Sequence, residues 1–152
     1  DEARRELIRE QMTEHDIPAD TVLHRTYELM RCADLAITAS GTTTLELAHF
    51  RTPMVVIYRV SRFEMLLARL FKRTPLIAMI NILAGREIVP EFLMSRDEDE
   101  RVAEAALEVL QDDDRRQTMI ADIDRVMTEI EHPGASQRAA EAVLEIARGL
   151  PH

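Results

Sequence analysis

Two continuous apolar runs constrain this chain most: Leu35-Ala36-Ile37-Thr38-Ala39 and Met54-Val55-Val56-Ile57-Tyr58. Neither alternates polar with apolar, so neither suits a strand with one wet face. Runs of this kind belong to strands buried on both faces, as in parallel sheets covered by helices. Between them, Ser40-Gly41-Thr42-Thr43-Thr44 opens a turn, and Leu45-Glu46-Leu47-Ala48 resumes at helical spacing. A strand, a hydroxyl-rich turn, a helix and a second strand form the βαβ unit of a right-handed crossover.

The rest of the chain extends the pattern. Residues 2–15 read as an amphipathic helix, 21–24 as a short strand, 26–33 as a helix and 43–50 as the helix after the turn. Residues 62–72 are helical in pattern, and Leu76–Ile80 is a fourth strand candidate. Beyond Gly85 the spacing is helical over 86–94, 97–111, 113–131 and 136–149. The expectation is one domain over 1–152, with an α/β part over 1–94 and a helical tail over 95–152. Its fold class is α/β, a Rossmann-like parallel sheet of about four strands with flanking helices.

Composition removes several classes. At 46% apolar residues in 152, the chain can build a core and is not disordered. A formal charge of −9 argues against nucleic acid as the main partner. The single Cys32 forms no internal disulfide framework, and no run is long enough to cross a bilayer. His15, His24, His49, His132 and His152 share no ligand spacing with one another or with Cys32, so no metal site is expected. Asp112-Asp113-Asp114 contains an Asp-x-Asp pattern but reads as a solvated helix start. The chain opens at Asp1 inside a helical pattern, which suggests part of something longer.

Three segments carry chemistry. In the first, a glycine beside unpaired helix-terminal amides suits a diphosphate, with Ser40, Gly41, Thr42 and Thr43 around it and Glu46 accepting from sugar hydroxyls. The same spacing fits a capping box with Thr43 at the N-cap and Glu46 reaching back to it. Both readings stand on spacing alone. In the second, Asn81-Ile82-Leu83-Ala84-Gly85-Arg86-Glu87, Asn81 offers the donor and acceptor that uracil requires, and Arg86 has the fork for a phosphate. An Asn-stabilised turn with surface charges fits equally. With the Ser40 turn and Tyr58, Asn81 is expected at the carboxyl ends of three strands, where such sheets bind ligands. The third, Arg59 to Arg73, has five basic residues against one acid, interleaved with Phe63, Met65, Leu66, Leu67, Leu70 and Phe71. Arg62, Arg69, Lys72 and Arg73 would face an anionic lipid surface, or else snorkel from an ordinary covering helix.

Three blocks in order also resemble the lipid-A-disaccharide synthase family: Ala39-Ser40-Gly41-Thr42-Thr43-Thr44-Leu45-Glu46, Thr52-Pro53-Met54-Val55-Val56-x-Tyr58-Arg59 and Asn81-Ile82-Leu83-Ala84-Gly85-Arg86-Glu87-x-Val89-Pro90-Glu91. The tail Gly134-Ala135-Ser136-x-Arg138-Ala139-Ala140-Glu141 looks similar. The resemblance implies part of a GT-B glycosyltransferase, an inverting, metal-free enzyme without a cofactor at the inner face of the Gram-negative inner membrane. It implies transfer of 2,3-diacylglucosamine from UDP to 2,3-diacylglucosamine 1-phosphate (lipid X). Ser40, Gly41 and Thr42 would face the diphosphate. Phe63 and Asn81 would flank uridine or sugar, with Tyr58, Gly85, Arg86 and Glu87 completing the pocket. The family's general base lies in an N-terminal half with no counterpart here, so no catalytic residue is assigned. The isolated chain is expected to bind UDP weakly without transferring sugar. The family is associated with dimers. A UDP-sugar epimerase or another GT-B transferase shares the phosphate-site logic, and a non-catalytic interaction module using acidic helices 97–131 stands as the third reading.

Overall fold

The computed structural model describes residues 2–39, 41–60, 76–94, 99–131, 134–147 and 149. Its elements run α1 (Glu2–Glu14), α2 (Thr26–Cys32), β1 (Ala36–Ala39), α3 (Thr43–His49), β2 (Met54–Arg59), α4 (Met79–Ala84), β3 (Glu91–Met94), α5 (Asp99–Gln111), α6 (Asp113–Ile130) and α7 (Ala135–Ala147). The described strands form a parallel sheet in the order β1-β2-β3. Ala36 pairs with Met54 and Ala39 with Ile57, while Val56 pairs with Glu91 and Arg59 with Met94. The chain is therefore a parallel α/β fold with a helical C-terminal segment, consistent with a Rossmann-like part of a GT-B fold.

The central strand explains why a continuous apolar run was required. Met54, Val55 and Val56 are each at most 1% exposed. Val56 and Met54 point into a cluster with Leu47, Ile80, Val89, Val109, Ile123 and Met127. Val55 points the other way, into Met94, Val102, Ala105 and Ala106. Helices thus cover both faces of β2, as a parallel sheet demands. Burying such side chains stabilises by roughly 1.5–3 kcal/mol each.

β1 is a strand as expected but is not buried on both faces, its Ile37 standing 54% exposed, and three further elements differ from the expectation. Residues 21–24 form no strand, because no described strand lies beside them to complete a ladder. Leu76–Ile80 is not a strand either: α4 begins at Met79. Residues 86–94 are not helical. Pro90 has no amide for a helix and stands just before β3, so Glu91-Phe92-Leu93-Met94 joins the sheet instead. The sheet therefore holds three described strands rather than four, one of them unforeseen. The 62–72 helix falls outside the described residues.

Two helix starts are also informative. Asp112 caps α6, its carboxylate accepting from the Arg115 amide at 3.0 Å, so this acidic triplet is a helix start as expected. The capping box at α3 does not form. Thr42 is the N-cap, without a side-chain cap bond, and it is the Thr44 hydroxyl that donates to the Gly41 carbonyl at 2.8 Å.

Candidate functional site

In a parallel sheet, the segments leaving strand C-termini lie on one edge and those entering N-termini on the other. Gly41, Thr42 and Thr43 follow the end of β1, and Tyr58 stands near the end of β2, 45% exposed. These residues share the carboxyl edge. Gly85, Arg86 and Glu87 instead lead towards the start of β3. The structure therefore separates the expected site residues into two groups on opposite edges. Ser40 and Phe63 lie outside the described residues, as do Arg62, Arg69, Lys72 and Arg73.

At the carboxyl edge, Gly41 has φ +143°, a conformation side chains rarely adopt, and the space where a Cβ would stand is open. The first intrahelical bonds of α3 begin with the amides of Thr44, Leu45 and Glu46, so those of Gly41, Thr42 and Thr43 precede the ladder. With seven residues, α3 carries a short dipole, and the local amides matter more than the macrodipole. Glu46 follows Thr43 at i+3, on the same side of the helix. It lines a cavity of about 380 Å³ with His24, Thr26, Tyr27 and Glu28. Tyr27 and Glu46 also border a second cavity of about 450 Å³ walled by Leu45, His49 and Phe50. The Tyr27 and Phe50 rings stand 6.1 Å apart.

His24, Thr26, Tyr27 and Glu28 were not anticipated. Their one local signal is the backbone before α2, where His24 takes φ +60° and turns the chain sharply. Only the packing of α2 against α3 shows that this turn faces Glu46.

At the opposite edge the side chains are engaged with one another. Asn81 was expected at a strand end, but it sits inside α4 and is fully buried. Its Nδ2 donates to the Val89 carbonyl at 2.9 Å and to Glu91 Oε2 at 3.0 Å. Its Oδ1 accepts from the amides of Ile88 at 2.8 Å and Val89 at 3.0 Å. Glu91 also takes the Ile77 and Ala78 amides, the latter at 2.8 Å. Gly85 ends α4 in the left-handed conformation, φ +66°. Arg86 places Nη2 2.6 Å from Asp122 Oδ1, and Arg125 donates to the same oxygen at 2.8 Å. The hydrogen bond from Arg86, then the charges of Arg86 and Arg125, hold the Asp122 carboxyl below its usual range against the effect of burial. Burial, then the charge of Glu91, pushes Glu87 upwards.

One further cluster ties α3 to α6. Arg51 donates to Asp124 at 2.9 Å and to Glu131 at 3.3 Å, while His49 Nδ1 lies 2.6 Å from Glu131. Among the described residues, no group of three or more His, Cys, Asp or Glu is placed to hold a metal ion. No described helix is long and apolar enough to cross a membrane.

Helices on both faces of a three-stranded parallel sheet, with a glycine turn following the end of β1, define a Rossmann-like α/β unit. The profile of the family described as lipid-A-disaccharide synthetase matches residues 1–146. The chain belongs to that family, whose members are glycosyltransferases. It is 40% identical over 126 residues to the lipid-A-disaccharide synthase of Synechocystis sp., covering 82% of this chain and 32% of the relative. It is 38% identical over 149 residues to that of Azotobacter vinelandii, covering 96% and 38% respectively. For the Syntrophus aciditrophicus enzyme the identity is 32% over 142 residues, covering 93% and 37%. The chain thus spans about a third of the length of the curated relatives it matches.

Proposed function

We propose that this chain is the donor-binding part of a lipid-A-disaccharide synthase, residues 1–152 acting as one unit, with the UDP moiety held at the carboxyl edge of the sheet. The observation that carries this reading is the backbone of Gly41: positive φ, open space at its Cα, and two amides beyond it that precede the α3 ladder. There Ser40, Gly41, Thr42 and Thr43 present donors to the diphosphate. Donors of this kind offset phosphate charge in an otherwise acidic chain. Glu46 would repel a phosphate, so it faces the ribose, whose hydroxyls donate to it. The base lies in the cavity between Glu46 and the turn at His24–Glu28. Tyr58 and Phe63 border the sugar side.

The residues of the other edge have a different part. Asn81, Gly85, Arg86 and Glu87 hold the α4–β3 connection, and through it the register of the sheet that carries the site. The supporting fact is that the donors and acceptors of Asn81 are all used internally.

In the whole enzyme the reaction is an inverting transfer of 2,3-diacylglucosamine from UDP to 2,3-diacylglucosamine 1-phosphate. The acceptor hydroxyl oxygen bonds to the anomeric carbon as the bond from that carbon to the diphosphate breaks. UDP leaves with the electron pair, and a base takes the hydroxyl proton. This chain binds and orients the leaving group, and the base belongs to the part of the family's length it does not span. The segment from Arg59 to Arg73 would rest on the inner face of the inner membrane, its cations against anionic lipid. The test is UDP titration of the chain followed by amide chemical shifts. Shifts centred on Gly41–Glu46 and His24–Glu28 are expected, and a titration leaving both segments unmoved refutes the proposal.

A further inference from the structure

We infer that Arg51 is a positioning residue for the nucleotide site. Its guanidinium fixes α3 against α6, and thereby sets where the Gly41 turn and Glu46 stand. The inference deepens the reading of the carboxyl edge as the UDP site, and rests on it.

The backbone supplies the first observation. α3 ends in a Schellman turn: the Thr52 amide donates to the Leu47 carbonyl at 3.1 Å and the Arg51 amide to the Ala48 carbonyl at 3.0 Å. The residue at such a bend is left-handed, a place that usually falls to glycine. Here it is Arg51, with φ +58°. Strain of that kind persists only where the surroundings hold it. The surroundings in this case are the partners of the guanidinium.

Those partners lie on two elements. Arg51 Nη1 donates to the His49 carbonyl at 2.8 Å, setting positive charge on the last turn of α3. Nε donates to Asp124 at 2.9 Å and Nη2 to Glu131 at 3.3 Å. Asp124 lies within α6 and Glu131 caps its end, about two turns further on, so the planar fork is pinned at separated points. His49 Nδ1 meets the same Glu131 at 2.6 Å. A network of this kind constrains direction in a way that a lone exposed ion pair does not. The next residue ties the turn to α2, since buried Thr52 donates its hydroxyl to the Met30 carbonyl at 2.6 Å. The first residues of α2, Thr26 to Glu28, line the cavity that Glu46 also borders. Arg51 and Thr52 therefore hold both walls of the site from behind. On α3 itself, Thr44, Leu47 and Ala48 are buried, one narrow packed face on which a helix of seven residues rocks once its far end is released. That length puts Arg51 about 10 Å from the Gly41 turn, too far to touch a ligand there.

Arg51→Gly separates positioning from stability, because glycine takes the left-handed bend without strain while the guanidinium is lost. Relief of strain offsets the missing ion pairs, so Tm should stay near that of the parent. The Kd for UDP, measured by calorimetry on the chain where both proteins are folded, should rise about tenfold. Without ligand, the amides of Thr43 to Glu46 should gain relaxation dispersion while those of Val55 and Val56 do not. Arg51→Lys keeps the charge without the fork and should recover part of the affinity. Asp124→Asn combined with Glu131→Gln removes the partners on α6 and should reproduce the loss. Adding Arg51→Gly to that pair should cost no further affinity. The α6 pair decides the matter if Arg51→Gly does not fold. Unchanged UDP affinity in these variants overturns the proposal, and so do losses that simply add. A parent chain that does not bind UDP refutes the proposed function itself, and this inference falls with it.

Discussion

Asn81→Ala separates a structural asparagine from a ligand-binding one. The substitution removes an amide making four hydrogen bonds of 2.8–3.0 Å in a fully buried position. It leaves the Ile88 and Val89 amides and the Val89 carbonyl without their partner. Each buried group so stranded costs about 1–3 kcal/mol, but water entering the vacated space recovers part of that. Glu91 keeps the Ile77 and Ala78 amides and is largely spared. The net expectation is a loss of about 2–4 kcal/mol, equivalent to roughly 5–15 °C in Tm for a chain of this size. Urea melts followed by circular dichroism measure it, and Asn81→Asp provides the companion variant. The aspartate keeps the acceptors but loses the donors and sets a second carboxylate against Glu91. It should therefore be destabilised most at neutral pH and recover as acid protonates the pair. The reasoning is refuted if Asn81→Ala melts within about 0.5 kcal/mol of the parent, the ordinary range for neutral surface changes. Loss of UDP binding at unchanged stability would make Asn81 a nucleotide ligand.

Further outcomes follow from the same geometry. Gly41→Ala meets no clash but must hold φ +143°, so a loss of roughly 1–3 kcal/mol in stability is expected, together with weaker UDP binding by calorimetry. Glu46→Gln should raise the Kd for UDP about tenfold, the size of one charge-assisted hydrogen bond, while the Kd for inorganic diphosphate does not rise. Arg86→Ala should leave UDP affinity unchanged and lower stability by about 1–2 kcal/mol, because it removes one of two arginines from the nearly buried Asp122. A weakened titration would instead place Arg86 at the nucleotide. The Asp122 carboxyl is held below its ordinary value in the folded chain, so its contribution is present above the unfolded-state carboxyl pKa and is lost as pH falls through the folded one. Acid melts of Asp122→Asn should accordingly show a shallower loss of stability below about pH 4 than the parent.

The parallel α/β character was legible because it rests on a local signal: Met54, Val55 and Val56 are apolar at consecutive positions, as suits a strand covered on both faces. The long helices α5 and α6 were equally legible, since their periodicity and the Asp112 cap lie within the segments themselves. The strand expected at Thr21–His24 and the helix expected over 86–94 fail for a shared reason. A strand exists only where a partner offers a ladder, and residues 91–94 find one on β2 whereas 21–24 find none among the described strands.

The candidate site divides along the same line. Gly41 and the hydroxyls around it announce a turn in one dimension, since glycine and threonine there are chosen by the backbone of that turn. The family likeness, too, sits in contiguous blocks. Which side chains face one another was settled only by tertiary packing. It carried Tyr27 and His24 round to Glu46, buried the Asn81 amide against Ile88, Val89 and Glu91, and set Arg86 on Asp122. Polar groups have no periodicity of their own to reveal their partners. In a low-dielectric interior each must find a donor or acceptor, and the fold alone determines which one is near enough.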